Sequence, residues 1–76
     1  MLIQFTRIGS FTATDAALRL YDVVITQEHL LGDNPAYTPQ RFLQTAEGEP
    51  VTRRRKGQYV LARTGELLRS SDPFCP

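Results

Sequence analysis

The last third of the chain constrains the fold most. Val51 to Arg55, Gln58 to Arg63 and Glu66 to Ser70 are three strand-like runs separated by Lys56-Gly57 and Thr64-Gly65. Glycine reaches positive φ without steric cost, and short glycine-containing connections between such runs are hairpin signals. The pattern predicts a three-stranded antiparallel meander over 51–70. With two-residue turns, counting outward pairs Arg54 with Tyr59, Arg53 with Val60 and Thr52 with Leu61. The second turn then pairs Ala62 with Leu67, Leu61 with Leu68 and Val60 with Arg69. This register places Thr52, Leu61 and Leu68 on a core-facing side, and gathers Arg53, Arg55 and Arg69 on the other.

Upstream, Ile3 and Phe5 alternate with Gln4 and Thr6, which predicts a strand over Leu2–Ile8. Gly9-Ser10 and Thr12 to Asp15 are turn-type residues, with Phe11 among them folding back onto the core. Contiguous Val23, Val24 and Ile25 after Tyr21 make Leu18–Thr26 the strongest β signal in the chain. Thr14 could instead cap a short helix at its start. Gly32-Asp33-Asn34-Pro35 reads as a breaker. Thr38-Pro39 has the chemistry of a helix start, so the segment to Ala46 predicts one short helix with Gly48 as its left-handed terminator, or else an ordered loop. Asp72 to Pro76, with two prolines, cannot continue as an inner strand.

The expected fold is therefore mostly β, or α+β: about five antiparallel strands in a small curled sheet or partly open barrel, with one short helix. Seventy-six residues support one hydrophobic core, so a single domain over 1–76 is expected. Apolar residues at 41% and charged residues at 22% are ordinary globular usage, not that of a disordered chain.

The same composition narrows function. A formal net charge of +1 gives no global field to attract nucleic acid or an anionic membrane, so any electrostatic partner must be met by a local cluster. No run approaches a membrane span, and Met1 to Arg7 lacks the basic start and long apolar stretch of a secretory signal, so none is expected. A lone cysteine, Cys75, excludes an internal disulfide framework, and the expected location is cytoplasmic. The one histidine, His29, has no companion at metal-ligand spacing, the carboxylates are dispersed, and phosphate-loop and calcium-loop patterns are absent. A non-enzymatic protein without a cofactor is expected. Phe5, Phe11, Tyr21, Phe42, Tyr59 and Phe74 are read as core residues, and Cys75 as a buried anchor or an incidental thiol.

Two readings from different classes remain. The first is an accessory or regulatory interaction module that binds a protein partner or a second copy of itself, as a homodimer, through sheet edges and exposed aromatics, Tyr37 foremost. The second is a nucleic-acid-binding β-domain using Arg53, Arg54, Arg55, Lys56 and Arg69, with Tyr59 as a stacking surface. Against the second stands a plain alternative: a solvated edge strand whose charges block aggregation.

Overall fold

A computed structural model describes residues 2–32 and 36–76. Six strands follow one another: β1 (Leu2–Thr14), β2 (Leu20–Leu31), β3 (Arg41–Thr45), β4 (Pro50–Arg55), β5 (Gln58–Leu61) and β6 (Leu67–Arg69). Each pairs antiparallel with the next, and β6 returns to β1, so the sheet closes into a barrel. The expectation of a mostly β, curled antiparallel sheet holds. There are six strands where about five were expected, and no helix among the described residues.

The missing helix has a simple cause. Arg41 to Thr45 alternates rather than repeating every third or fourth residue: Leu43 and Thr45 point inward while Phe42 and Gln44 lie exposed. Gly48 takes φ +92° as expected, but it closes a hairpin: Thr45 donates its N–H to the Glu49 carbonyl at 2.8 Å, and Gly48 donates to Thr45 at 2.8 Å. The segment after Thr14 likewise forms a hairpin turn, in which Leu18 donates to the Asp15 carbonyl at 3.0 Å. Leu18 occupies the equivalent left-handed position at φ 62°, a conformation that costs a non-glycine residue about 1–2 kcal/mol. Gly9 to Thr14, read as turn, continues β1 past a bulge between Arg7 and Gly9, because Phe11 and Ala13 alternate inward with exposed Thr12. The breaker at Gly32–Pro35 falls largely on residues 33–35, which lie outside the described residues.

Six strands enclose a narrow interior, which side chains fill. Phe11, Ala13, Val23, Ile25, Val51, Tyr59, Leu61 and Leu68 are buried there, joined by Cys75 from the closing segment. Each large apolar side chain so buried stabilises the fold by roughly 1.5–3 kcal/mol. The Phe11 and Tyr59 rings meet at 4.8 Å between centroids. Phe5, Phe42 and Phe74, expected in the core, are exposed instead. Cys75 is buried, which of its two readings favours the anchor.

Two features set the shape. At about 3.3 Å per residue, thirteen-residue β1 has a length close to the 46 Å long dimension of the molecule. β3 covers β2 only from Val23 to Gln27, so the ends of β1 and β2 project beyond the barrel as a two-stranded arm. Closure, by contrast, is slight: β6 meets β1 at one residue pair, Thr14 with Arg69.

Candidate functional site

One face of the arm gathers an apolar cluster beside Arg7 and Glu28. Paired residues share a face, so the register Ile3–Leu30 and Phe5–Glu28 on the arm, with Thr26–Phe42 at its root, puts Ile3, Phe5, Leu30 and Phe42 together. The opposite face carries Gln4, Thr6, Gln27, His29 and Arg41, with the exposed Leu31 at its tip. The Phe5 ring is 60% exposed and lies 6.2 Å from the Phe42 ring. Phe5, Thr26, Phe42, Leu43 and Pro50 line a shallow, mainly apolar cleft at the root of this face. Beyond it β1 has a free edge, since Leu2 to Arg7 pairs with β2 alone among the described residues.

Tyr37 approaches the same face. The chain before β3 is tied to the arm by Glu28, whose N–H donates to the Gln40 carbonyl at 3.0 Å and whose Oε1 accepts from the Gln40 N–H at 3.2 Å. Tyr37 is half-buried rather than fully exposed, and its hydroxyl is enclosed without a hydrogen bond of good geometry among the described residues. Burial, and after it the nearby Glu28 carboxylate, raises this phenol above its ordinary value.

The basic run is divided. A bulge between Arg53 and Arg55 changes the register: Arg53 pairs with Tyr59, Thr52 with Val60 and Val51 with Leu61, while Arg55 still pairs with Gln58. The expected Arg54–Tyr59 pair does not form. The β5–β6 connection is longer than two residues, with Leu61 donating to the Glu66 carbonyl at 2.9 Å, so Val60 pairs with Leu67 and Arg69 with Gln58. Arg53 therefore shares the face of Tyr59 at the barrel rim, where it stays exposed, and Arg54 is the bulged residue. Arg55 and Arg69 share the outward side with Gln58 between them, so two of the three arginines expected on one surface are brought together.

Tyr59 cannot serve as the stacking surface expected of it. Its side chain is wholly buried, its hydroxyl donates to the Pro76 main-chain oxygen at 2.6 Å, and it accepts from Gly57 N–H at 3.4 Å. Burial, and after it the Cys75 thiol, raises its pKa.

A second surface follows from the β4–β5 turn. Arg55, Lys56, Gln58 and Arg69 line an open groove with Leu20 and Phe74 at the β1–β6 seam. Leu20 and Phe74 are among the most exposed apolar residues of the chain, at 74% and 77%. Arg69 can be drawn in from sequence because it falls in a strand-like run. Phe74 cannot, since its place depends on how the closing segment docks. Among the described residues the ion pairs join Arg19 to Asp15 and Glu66, and Arg63 to Glu49; Arg55, Lys56 and Arg69 enter none of them.

Among the described residues no three His, Cys, Asp or Glu side chains group so that they could hold a metal ion, and no helix is long and apolar enough to cross a membrane. His29 is exposed on the face of the arm opposite Phe5, paired with Gln4. Comparison with protein-family models, with curated proteins and with solved structures finds no match for the chain.

Proposed function

We propose that this chain is a non-enzymatic interaction module, accessory or regulatory to its partner, which binds another protein or a second copy of itself through the apolar face of the β1–β2 arm. One observation carries the reading: Ile3 and Phe5 alternate on β1 as in a half-buried strand, and no described segment of the chain covers the side around Phe5, which stays 60% exposed. A paired ribbon with an uncovered apolar face and a free edge gains from a partner on both counts, by burying rings and by completing main-chain pairing. Tyr37, at the border of that face, adds an aromatic of the kind that anchors interfaces.

The test is self-association and capture by the intact chain against Phe5→Ser and Phe42→Ser. Removing one ring from a buried interface forfeits roughly 1.5–3 kcal/mol, so each variant should weaken association about ten- to hundredfold while melting like the parent. Light scattering decides between the two partners: a concentration-dependent dimer abolished in both variants marks a homodimer. A monomer that retains a host protein only when Phe5 and Phe42 are intact marks a separate partner. A chain that stays monomeric, and whose captured proteins are indifferent to both substitutions, sinks the proposal.

A further inference from the structure

We infer that the groove at the β1–β6 seam binds single-stranded nucleic acid, with Arg55, Lys56 and Arg69 on the phosphates and Phe74 stacked on a base. The inference is independent of the arm.

Three observations carry it. First, cations from a turn and two strands line one groove, Arg55 and Arg69 flanking Gln58 in register, and none is spent on an ion pair among the described residues. Guanidinium groups left free in this way match phosphate oxygens by paired hydrogen bonds. Second, the Phe74 ring stands 77% exposed in the same groove, although the segment bearing it is docked on both sides. Asp72 accepts from Thr12 N–H at 3.0 Å and from Phe74 N–H at 2.9 Å, and the Cys75 side chain is buried in the core. An exposed ring on a tethered main chain beside free cations is the pairing that single strands use: charge follows the backbone while a flat face takes a base of any sequence.

Third, the seam offers no strand edge there. The Thr12 carbonyl accepts from the Ser70 hydroxyl, and its N–H is held by Asp72. An extended peptide could not add as a strand at that point, so recognition falls to side chains, which favours a ligand read by charge and stacking. Among the described residues that line the groove Asp72 is the one carboxylate, and its two oxygens are engaged by those main-chain donors.

The experiment is fluorescence anisotropy of a labelled twelve-residue oligo(dT) with the full chain over a salt series. Arg55→Ala/Arg69→Ala should weaken binding at least about tenfold, and flatten the slope of log K against log salt by about 0.7 for each phosphate no longer neutralised. Phe74→Ala should weaken binding about fivefold or more with that slope unchanged. Because the chain has no tryptophan, Phe74→Trp supplies a direct reporter in the otherwise intact groove, and its emission should be quenched as oligo(dT) is added. The inference is overturned by no binding at low salt, by affinity that the double variant retains, or by indole emission from Phe74→Trp that does not respond. A twelve-residue polyglutamate peptide competing as well as unlabelled oligo(dT) would also overturn it, and would mark a site for acidic peptides.

Discussion

A carboxylate buried in a protein must replace the water it gives up, and Asp15, 6% exposed, does so with donors on both oxygens. Oδ1 accepts from the Ala17 and Arg19 N–H groups at 2.9 Å each, and Oδ2 from Arg19 Nε at 2.8 Å and the Tyr21 hydroxyl at 3.3 Å. Hydrogen bonding from the Arg19 main chain, with that side chain's bond and charge after it, outweighs burial and holds the carboxyl below its ordinary 3.8. A lowered folded value means the deprotonated form favours the native state. Its contribution is complete above 3.8 and is lost as pH falls through the folded value. Asp15→Asn should therefore be less stable than the parent at neutral pH, and should lose less stability on acidification; denaturant unfolding from about pH 6 to about pH 2 measures both. If the two chains lose stability in parallel, Asp15 is not the group that titrates. None of this is legible in sequence, where Asp15 is one dispersed carboxylate among turn residues. Its role follows from a tight hairpin turn that the alternative of a helix start at Thr14 conceals.

At the level of strands, legibility depends on whether local chemistry has one meaning. Lys56-Gly57 is readable as a two-residue turn because glycine before Gln58 has few other uses, and Gly57 takes φ +84° there. The turn also packs: a Cβ on Gly57 would lie 3.0 Å from the Ser70 carbonyl oxygen, while Ser70 N–H donates to the Gly57 carbonyl at 3.0 Å. Gly57→Ala should cost about 1–3 kcal/mol in chemical denaturation. Gly65→Ala, with similar φ of +77° but no atom within 4 Å of the added carbon, should cost less. Equal costs would mean that the proximity of Ser70 contributes nothing. By contrast, Thr38-Pro39 and Gly48 suit both a helix and a loop-strand-hairpin, and only the neighbouring strands decide between them. The Arg54 bulge is less legible still. Nothing in four consecutive cations reveals that one of them is skipped by the ladder, and that single skip puts Arg53 opposite Tyr59 and leaves Arg55 with Arg69 on the other face.

For the molecule as a whole, the β-rich character is readable and the ring is not, because closure depends on pairing between residues far apart in sequence. The apolar cluster of the arm is hidden for a related reason: Ile3 and Phe5 have the pattern of buried residues, and sequence does not show that no described part of the chain covers them. Neighbouring strands are joined by hairpins, whereas the bond between Thr14 and Arg69 spans 55 positions. Bringing such distant segments together costs more chain entropy than forming a hairpin, and here it is offset by one bridging pair and a few side-chain bonds. The ladder should consequently zip along the chain and join its ends last, and come apart in the reverse order. Amide hydrogen exchange would expose that asymmetry, with β6 amides exchanging through a low-energy local opening while the Val23–Thr45 region of β2 and β3 waits for global unfolding. Uniform protection around the ring would mean that the seam is as strong as the rest. The consequence reaches the groove: its cations lie on the β4–β6 side of the joint and Thr12 and Thr14 of β1 line the other side, so an occupant touching both would act as a clasp, slowing the opening of the seam.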